Sequence, residues 1–168
     1  MNERASSADA EGVFEPFHIS RVPWEEFFRG ERFGMRFQQL GAFGGGSQIS
    51  VCMEALPPGK QANLVHFHML EEEHVFILEG GLTLQLGVKS CELSAGHYVC
   101  FPAGQKLGHA LVNRSTEPCR YLVLGNPHPN DVVVFPDTGR VSVRLTGKSY
   151  RTAATMEYWE GVDVDAAV

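Results

Sequence analysis

The stretch Gly59–Gly80, GKQANLVHFHMLEEEHVFILEG, sets two histidines one residue apart, His66 and His68, ahead of a short polar turn, Glu73 and the apolar run Val75–Leu78. Residues i and i+2 of a strand point to the same face, so this HxH pair presents two imidazoles side by side. Met69–Glu72 has the length of a hairpin loop, and a strand restarting at Glu73 returns its carboxylate toward the two rings. Three nitrogen and oxygen donors then converge, which is how β-structure begins a metal site. Strand alternation turns His74 away from that face. Glu71 and Glu72 read as solvated turn residues, although either replaces Glu73 if the hairpin register shifts by one.

Working outward, short strands separated by turn residues recur every eight to twelve positions, the pattern of an all-β sandwich or barrel. The expected strands are 48–56, 65–68, 73–78, 82–88, 90–93, 98–101, 109–113 and 119–124, followed by a closing hairpin, 131–135 and 140–145, around the PDTG turn. Inward parity with Glu73 falls on Val75 and Ile77, so the pocket reads as mainly apolar. Few basic residues share that phase, which weighs against a phosphosugar isomerase, because a phosphate dianion wants Arg or Lys clamps. Lys60, Lys106 and Arg114 sit in expected turns, available only at a mouth.

Gly59, His66, His68, Glu73 and Gly80 resemble the first conserved motif of the cupin superfamily, and Gly96, Pro102, Gly104, His109 and Asn113 resemble its second. Four residues, Gln105–Gly108, separate Gly104 from His109 where the usual pattern has two. The chain is similar to small single-domain cupins of unassigned activity. That resemblance implies a single-domain jelly-roll β-barrel, with His109 as a fourth ligand beside His66, His68 and Glu73. Asn113 is then either a hydrogen bonder behind the ligands or a loop-former, and His97 stands where many cupins carry an aspartate.

Three imidazoles and one carboxylate suit one divalent transition ion, Fe, Mn, Ni or Zn, and not calcium, which wants oxygen throughout. Four protein ligands leave an open position on such an ion, the mark of a catalytic rather than a structural metal. Two readings follow. One is an enzyme acting on a small organic molecule, of oxygenase or isomerase/lyase type; the other is a non-catalytic sensor or carrier of small molecules or metal.

Residues 1–12 are expected to be a disordered tail, 13–46 an N-terminal extension, 47–146 the barrel and 147–168 a C-terminal extension. In the N-terminal extension, Pro23, the run WEEFFR and Gly30 read as a short helix with a glycine stop. Its aromatics, Phe14, Phe17, Trp24, Phe27, Phe28 and Phe33, are expected to cover a barrel end or meet a second subunit, in preference to forming a substrate lid. A homodimer is the expected assembly. The last stretch carries Tyr158 and Trp159 for docking on the barrel, with Glu157, Glu160, Asp163 and Asp165 leaving it acidic.

At 168 residues, 43% hydrophobic and 20% charged, the chain has the make-up of an ordinary globular domain. A net charge of −6 without any run of Lys or Arg excludes a nucleic-acid or anionic-membrane partner. The opening MNERASSADAEG has no apolar core and no apolar run reaches bilayer length, so a cytoplasmic protein is expected. Cys52, Cys91, Cys100 and Cys119 are widely spaced and read as buried thiols on strands.

Overall fold

The structure, a computed structural model, describes residues 6–162. A hairpin of β1 (Glu25–Arg29) and β2 (Phe33–Gln39) and a one-turn helix α1 (Leu40–Phe43) lead into β3 (Ser50–Leu56). Then follow β4 (Phe67–His68), β5 (Glu73–Glu79), β6 (Gly81–Leu86), β7 (Lys89–Ser94), β8 (Tyr98–Phe101) and β9 (His109–Val112). The chain ends with β10 (Cys119–Gly125), β11 (Val132–Phe135), β12 (Arg140–Val143) and β13 (Lys148–Arg151).

One wall is a six-stranded sheet in the order β1-β2-β3-β10-β5-β8. The other is two smaller sheets, β13-β12-β11-β4 and β7-β6-β9, joined by an isolated antiparallel bridge between His66 and His109. This is a jelly-roll barrel. Its core lies between the walls, where Leu56, Ile77, Leu82, Cys119 and Tyr121 are at most 1% exposed. Along β5 the alternation runs as the sequence reads: Val75 and Ile77 are buried inside and Phe76 is exposed outside. At the β5–β6 turn Gly80 adopts φ +77°, and a Cβ there would stand 2.8 Å from the Pro118 carbonyl oxygen, so this motif position admits only glycine.

The N-terminal extension differs from its sequence reading. WEEFFR does not form a helix: Glu25–Arg29 is β1, paired in antiparallel register with Phe33–Phe37. Gly30 has φ +59°, and a left-handed glycine turns a hairpin as readily as it stops a helix. The adjacent Phe27 and Phe28 then decide for the strand by their β-propensity. The helix of this region lies later, at Leu40–Phe43.

Residues 6–12, expected to be disordered, instead make a turn, with Ser7 buried and its N–H donating to the Phe43 carbonyl; residues 1–5 lie outside the described residues. In the C-terminal extension, Lys148–Arg151 adds β13 to the edge of β12. Tyr158 and Trp159 pack edge-on against each other and are 85% and 63% exposed, so they do not dock on the barrel as expected. Asp163 and Asp165 lie outside the described residues. All four cysteines are free thiols on strands, but only Cys119 is buried; Cys52 and Cys100 are half-buried and Cys91 is exposed.

Candidate metal centre

The His66–His109 bridge and the start of β5 bring the four sequence-picked residues together. Glu73 Oε2 lies 3.1 Å from His109 Nε2, 3.4 Å from His68 Nε2 and 3.6 Å from His66 Nε2. Donor atoms of His66, His68 and Glu73 all fall within 4.8 Å of one another. The longer turn before His109 therefore does not displace it: its N–H donates to the His66 carbonyl at 2.8 Å.

Each ring is held by what lies behind it. His66 donates from Nδ1 to the Leu64 carbonyl at 2.8 Å, which turns Nε2 toward Glu73. His68 Nδ1 meets Asp131 Oδ2 at 2.6 Å, a carboxylate–imidazole pair of the kind that fixes a metal-binding ring and raises its basicity. His109 is clamped by stacking on Phe101, with ring centroids 3.6 Å apart and planes 4° from parallel. Its Nδ1 has no hydrogen-bond partner.

Electrostatics favour an ionised carboxylate among rings of unequal basicity. Burial pushes the Glu73 carboxyl up, but hydrogen bonding from the three imidazoles outweighs it and holds the group well below the usual range. Burial opposes charge on His68, yet Glu73 and Asp131 together push its pKa up to about 9. Burial pushes His109 down. A charged His68 must surrender its proton before it can serve as a ligand. Two imidazole nitrogens and a carboxylate oxygen in mutual reach, joined by His109 through its 3.1 Å contact with Glu73, are a donor set that suits a divalent transition ion.

Asp131 and Arg144 carry no motif signal and were missed by the sequence reading. Asp131 is fully buried just ahead of β11, and its Oδ1 accepts from Leu70 N–H at 2.9 Å. Arg144 Nη1 contacts Glu71 Oε2 at 2.6 Å, and its Nε lies 3.9 Å from Asp131 Oδ2. Glu71, expected in solvent, is thus a buried partner of Arg144, while the Glu72 side chain stays half-exposed. Asn113 is the loop-former: fully buried, it donates to the carbonyls of Leu56 and Glu117 and accepts from Ser115. His97 caps its own turn, its Nδ1 accepting from Ser94 N–H.

The site forms the floor of an open cavity of about 660 Å³, whose walls include Phe27, Arg29, Phe33, Phe135, Arg140 and Arg144. The expectation of few basic groups near the site fails here, because all three arginines come from segments outside the two motifs. Lys106 and Arg114 line a different cavity, and Lys60 bonds to the Glu31 carbonyl. Phe27 and Phe33 line the mouth of this cavity. Behind the site, a pocket of about 50 Å³ reaches Glu54, whose carboxyl is pushed up to about 7 by burial, against the lowering effect of the Tyr121 phenol.

Residues 52–125 match the family model described as the cupin domain. Among solved structures, the chain is similar to a candidate sugar phosphate isomerase from Acidithiobacillus ferrooxidans, at 26% identity and TM-score 0.76, covering 83% of this chain and 91% of that one. A sugar phosphate isomerase of the cupin superfamily from Silicibacter pomeroyi is also 26% identical, with TM-score 0.74, covering 87% and 98%. A polyketide cyclase from Streptomyces resistomycificus shares the fold at 22% identity and TM-score 0.56, covering 68% and 80%. No match was found among curated proteins.

Proposed function

We propose that this chain, whose residues 52–125 match the family model described as the cupin domain, is a metal-dependent enzyme acting on a small anionic organic molecule, with isomerase or lyase chemistry. His66, His68, Glu73 and His109 would hold one divalent ion, Fe, Mn, Ni or Zn. The observation that carries the reading is that Arg29 and Arg140 line the same cavity as His66, His68 and Glu73. Neither arginine has an ion-pair partner among the described residues. Guanidinium groups recognise carboxylate or phosphate in bidentate fashion, so an anionic end of a substrate would be anchored at the mouth and its reacting end directed to the floor. The names of the two neighbours at 26% identity agree with a phosphorylated substrate.

A bound ion supplies Lewis acidity toward a carbonyl or hydroxyl oxygen. The chain supplies the rest. Phe27, Phe33 and Phe135 present apolar surface to the cavity, while Glu54, whose carboxyl burial pushes up to about 7, lines the separate small pocket behind the ligands. The anion anchor, together with the names of the two neighbours at 26% identity, favours isomerase or lyase chemistry over oxygenation. The second reading, a non-catalytic sensor or carrier, would use the same cavity and ion.

The test is to load the protein with each of the four ions and incubate it with phosphorylated ketoses and aldoses and with hydroxy acids, following products by NMR. Conversion that disappears in His66→Ala supports the enzyme. Saturable binding with the compound recovered unchanged assigns the carrier role. We also propose a homodimer built on β1, the edge strand of the large sheet, whose five residues are all exposed. No helix among the described residues is long and apolar enough to cross a membrane.

A further inference from the structure

Strand β5 places Glu73 inside the barrel and its neighbours Glu72 and His74 outside. Across the sheet His74 stands directly opposite Cys100 of β8, in antiparallel register. A carboxylate oxygen of Glu72, a ring nitrogen of His74 and the Cys100 sulfur all lie within 4.8 Å of one another. The side chains of Glu72 and His74 are 47% and 29% exposed, so solvent reaches this face. We propose that Glu72, His74 and Cys100 form a second metal site, on the outer wall of the barrel, for a borderline-soft divalent ion of the zinc class.

The donor set argues for that class. One thiolate, one imidazole and one carboxylate suit Zn²⁺ or Co²⁺, leave the fourth tetrahedral position to water, and suit neither Mg²⁺ nor Ca²⁺. The imidazole is already oriented from behind: His74 Nδ1 meets the Tyr98 hydroxyl at 2.6 Å, and the two rings stack with centroids 5.9 Å apart. With Nε2 beside the Glu72 carboxylate, the metal-free ring donates from Nε2 and accepts at Nδ1 from the Tyr98 hydroxyl; because a phenol both donates and accepts, Tyr98 is able to turn its O–H and accept from Nδ1 when an ion takes Nε2. Nε2 faces Glu72 Oε1 at 3.0 Å, the same nitrogen-to-carboxylate approach found at the inner site. The Glu72 backbone is tied down by its N–H donating to Asn126 Oδ1 at 2.7 Å. Cys100 is a free, half-buried thiol. On binding, sulfur exchanges its proton for the ion and the proton goes to solvent.

Sulfur makes the two sites separable. The inner group of three histidines and Glu73 contains none, so a sulfur-to-cobalt charge-transfer band in the near ultraviolet reports the outer site even when the inner one is filled. The experiment titrates the full chain with Co²⁺ and then displaces it with Zn²⁺. The expected result is a band that saturates at one equivalent, persists in His66→Ala/His68→Ala, and is absent in Cys100→Ser. His74→Gln, which keeps the thiol, should weaken Co²⁺ binding by about tenfold or more, the loss typical of a removed metal partner. Absence of any such band up to millimolar Co²⁺ overturns the proposal. So does a band that survives Cys100→Ser, since the sulfur would then come from Cys52, Cys91 or Cys119.

Discussion

His66 and His109 exchange both backbone hydrogen bonds, at 3.1 and 2.8 Å, and set their rings 4.6 Å apart. This one pair joins the two smaller sheets, so the contact that closes the barrel wall also positions two of the four candidate ligands.

The two histidines should nevertheless respond differently to truncation. In a Cys100→Ser background, which removes the outer site, both His66→Ala and His109→Ala should reduce bound metal from near one equivalent to near zero by elemental mass spectrometry. Only His109→Ala also removes the stacked contact with Phe101. Its urea midpoint should therefore correspond to about 1 kcal/mol lower stability than that of His66→Ala.

Asp131→Asn keeps the side-chain shape but removes the charge facing His68. Metal affinity measured by chelator competition should fall about 10- to 100-fold, as for other partners behind a ligating histidine. Stability of the metal-free protein should fall as well, because Arg144 and His68 lose an anionic neighbour in a buried setting. Unchanged affinity would remove Asp131 from the site.

His68 gives the metal-free protein a pH signature. Its pKa rises from about 6.5 unfolded to about 9 folded, so the folded state holds more protons between those values. The contribution to stability is full below pH 6.5 and is lost as pH climbs through 9. Metal affinity must run the other way, strengthening by up to about tenfold per pH unit over the same window because the ion displaces that proton. Chelator competition at three pH values reads both the sign and the slope.

Glu54 has the opposite linkage from an ordinary paired carboxylate. With its folded pKa raised to about 7, its stabilising contribution is present below about pH 4.5 and is lost as pH rises to 7. Glu54→Gln removes that cost, so the metal-free variant should be more stable than wild type at pH 8, by about 1–3 kcal/mol, and indistinguishable at pH 4. If Glu54 also handles a substrate proton, the same variant should lose turnover while keeping its metal.

The exposed edge of β1 carries Phe28, 48% exposed, beside Trp24, 37% exposed. Light scattering of the wild type should report a dimer at micromolar concentration, and Phe28→Glu should shift it to monomer without changing the far-ultraviolet circular dichroism. A monomeric wild type excludes the proposed assembly.

The barrel was legible because its strands alternate. Val75, Phe76 and Ile77 are ordered inside, outside, inside, and the turn glycine at position 80 tolerates no side chain. The HxH pair and Glu73 come together for the same reason, since their geometry is local to one hairpin. What stayed hidden is non-local. Asp131 lies sixty-three residues from His68, and Arg29, Arg140 and Arg144 reach the cavity from the N-terminal hairpin and the closing strands. No periodicity marks such residues. The WEEFFR segment was misread because its glycine serves two kinds of chain reversal, and only pairing with Phe33–Phe37 distinguishes them.

Arg144 ties the mouth of the cavity to its floor. Its guanidinium reaches Glu71 and Asp131, and Asp131 in turn holds His68. An anion entering the cavity competes with these two carboxylates for one cation. Whatever share it takes leaves Asp131 less neutralised, so its pull on the His68 Nδ1 proton grows and the far nitrogen becomes richer in electrons. Occupancy of the cavity would thereby be reported to the ligand ring without any movement of the backbone, through charge alone.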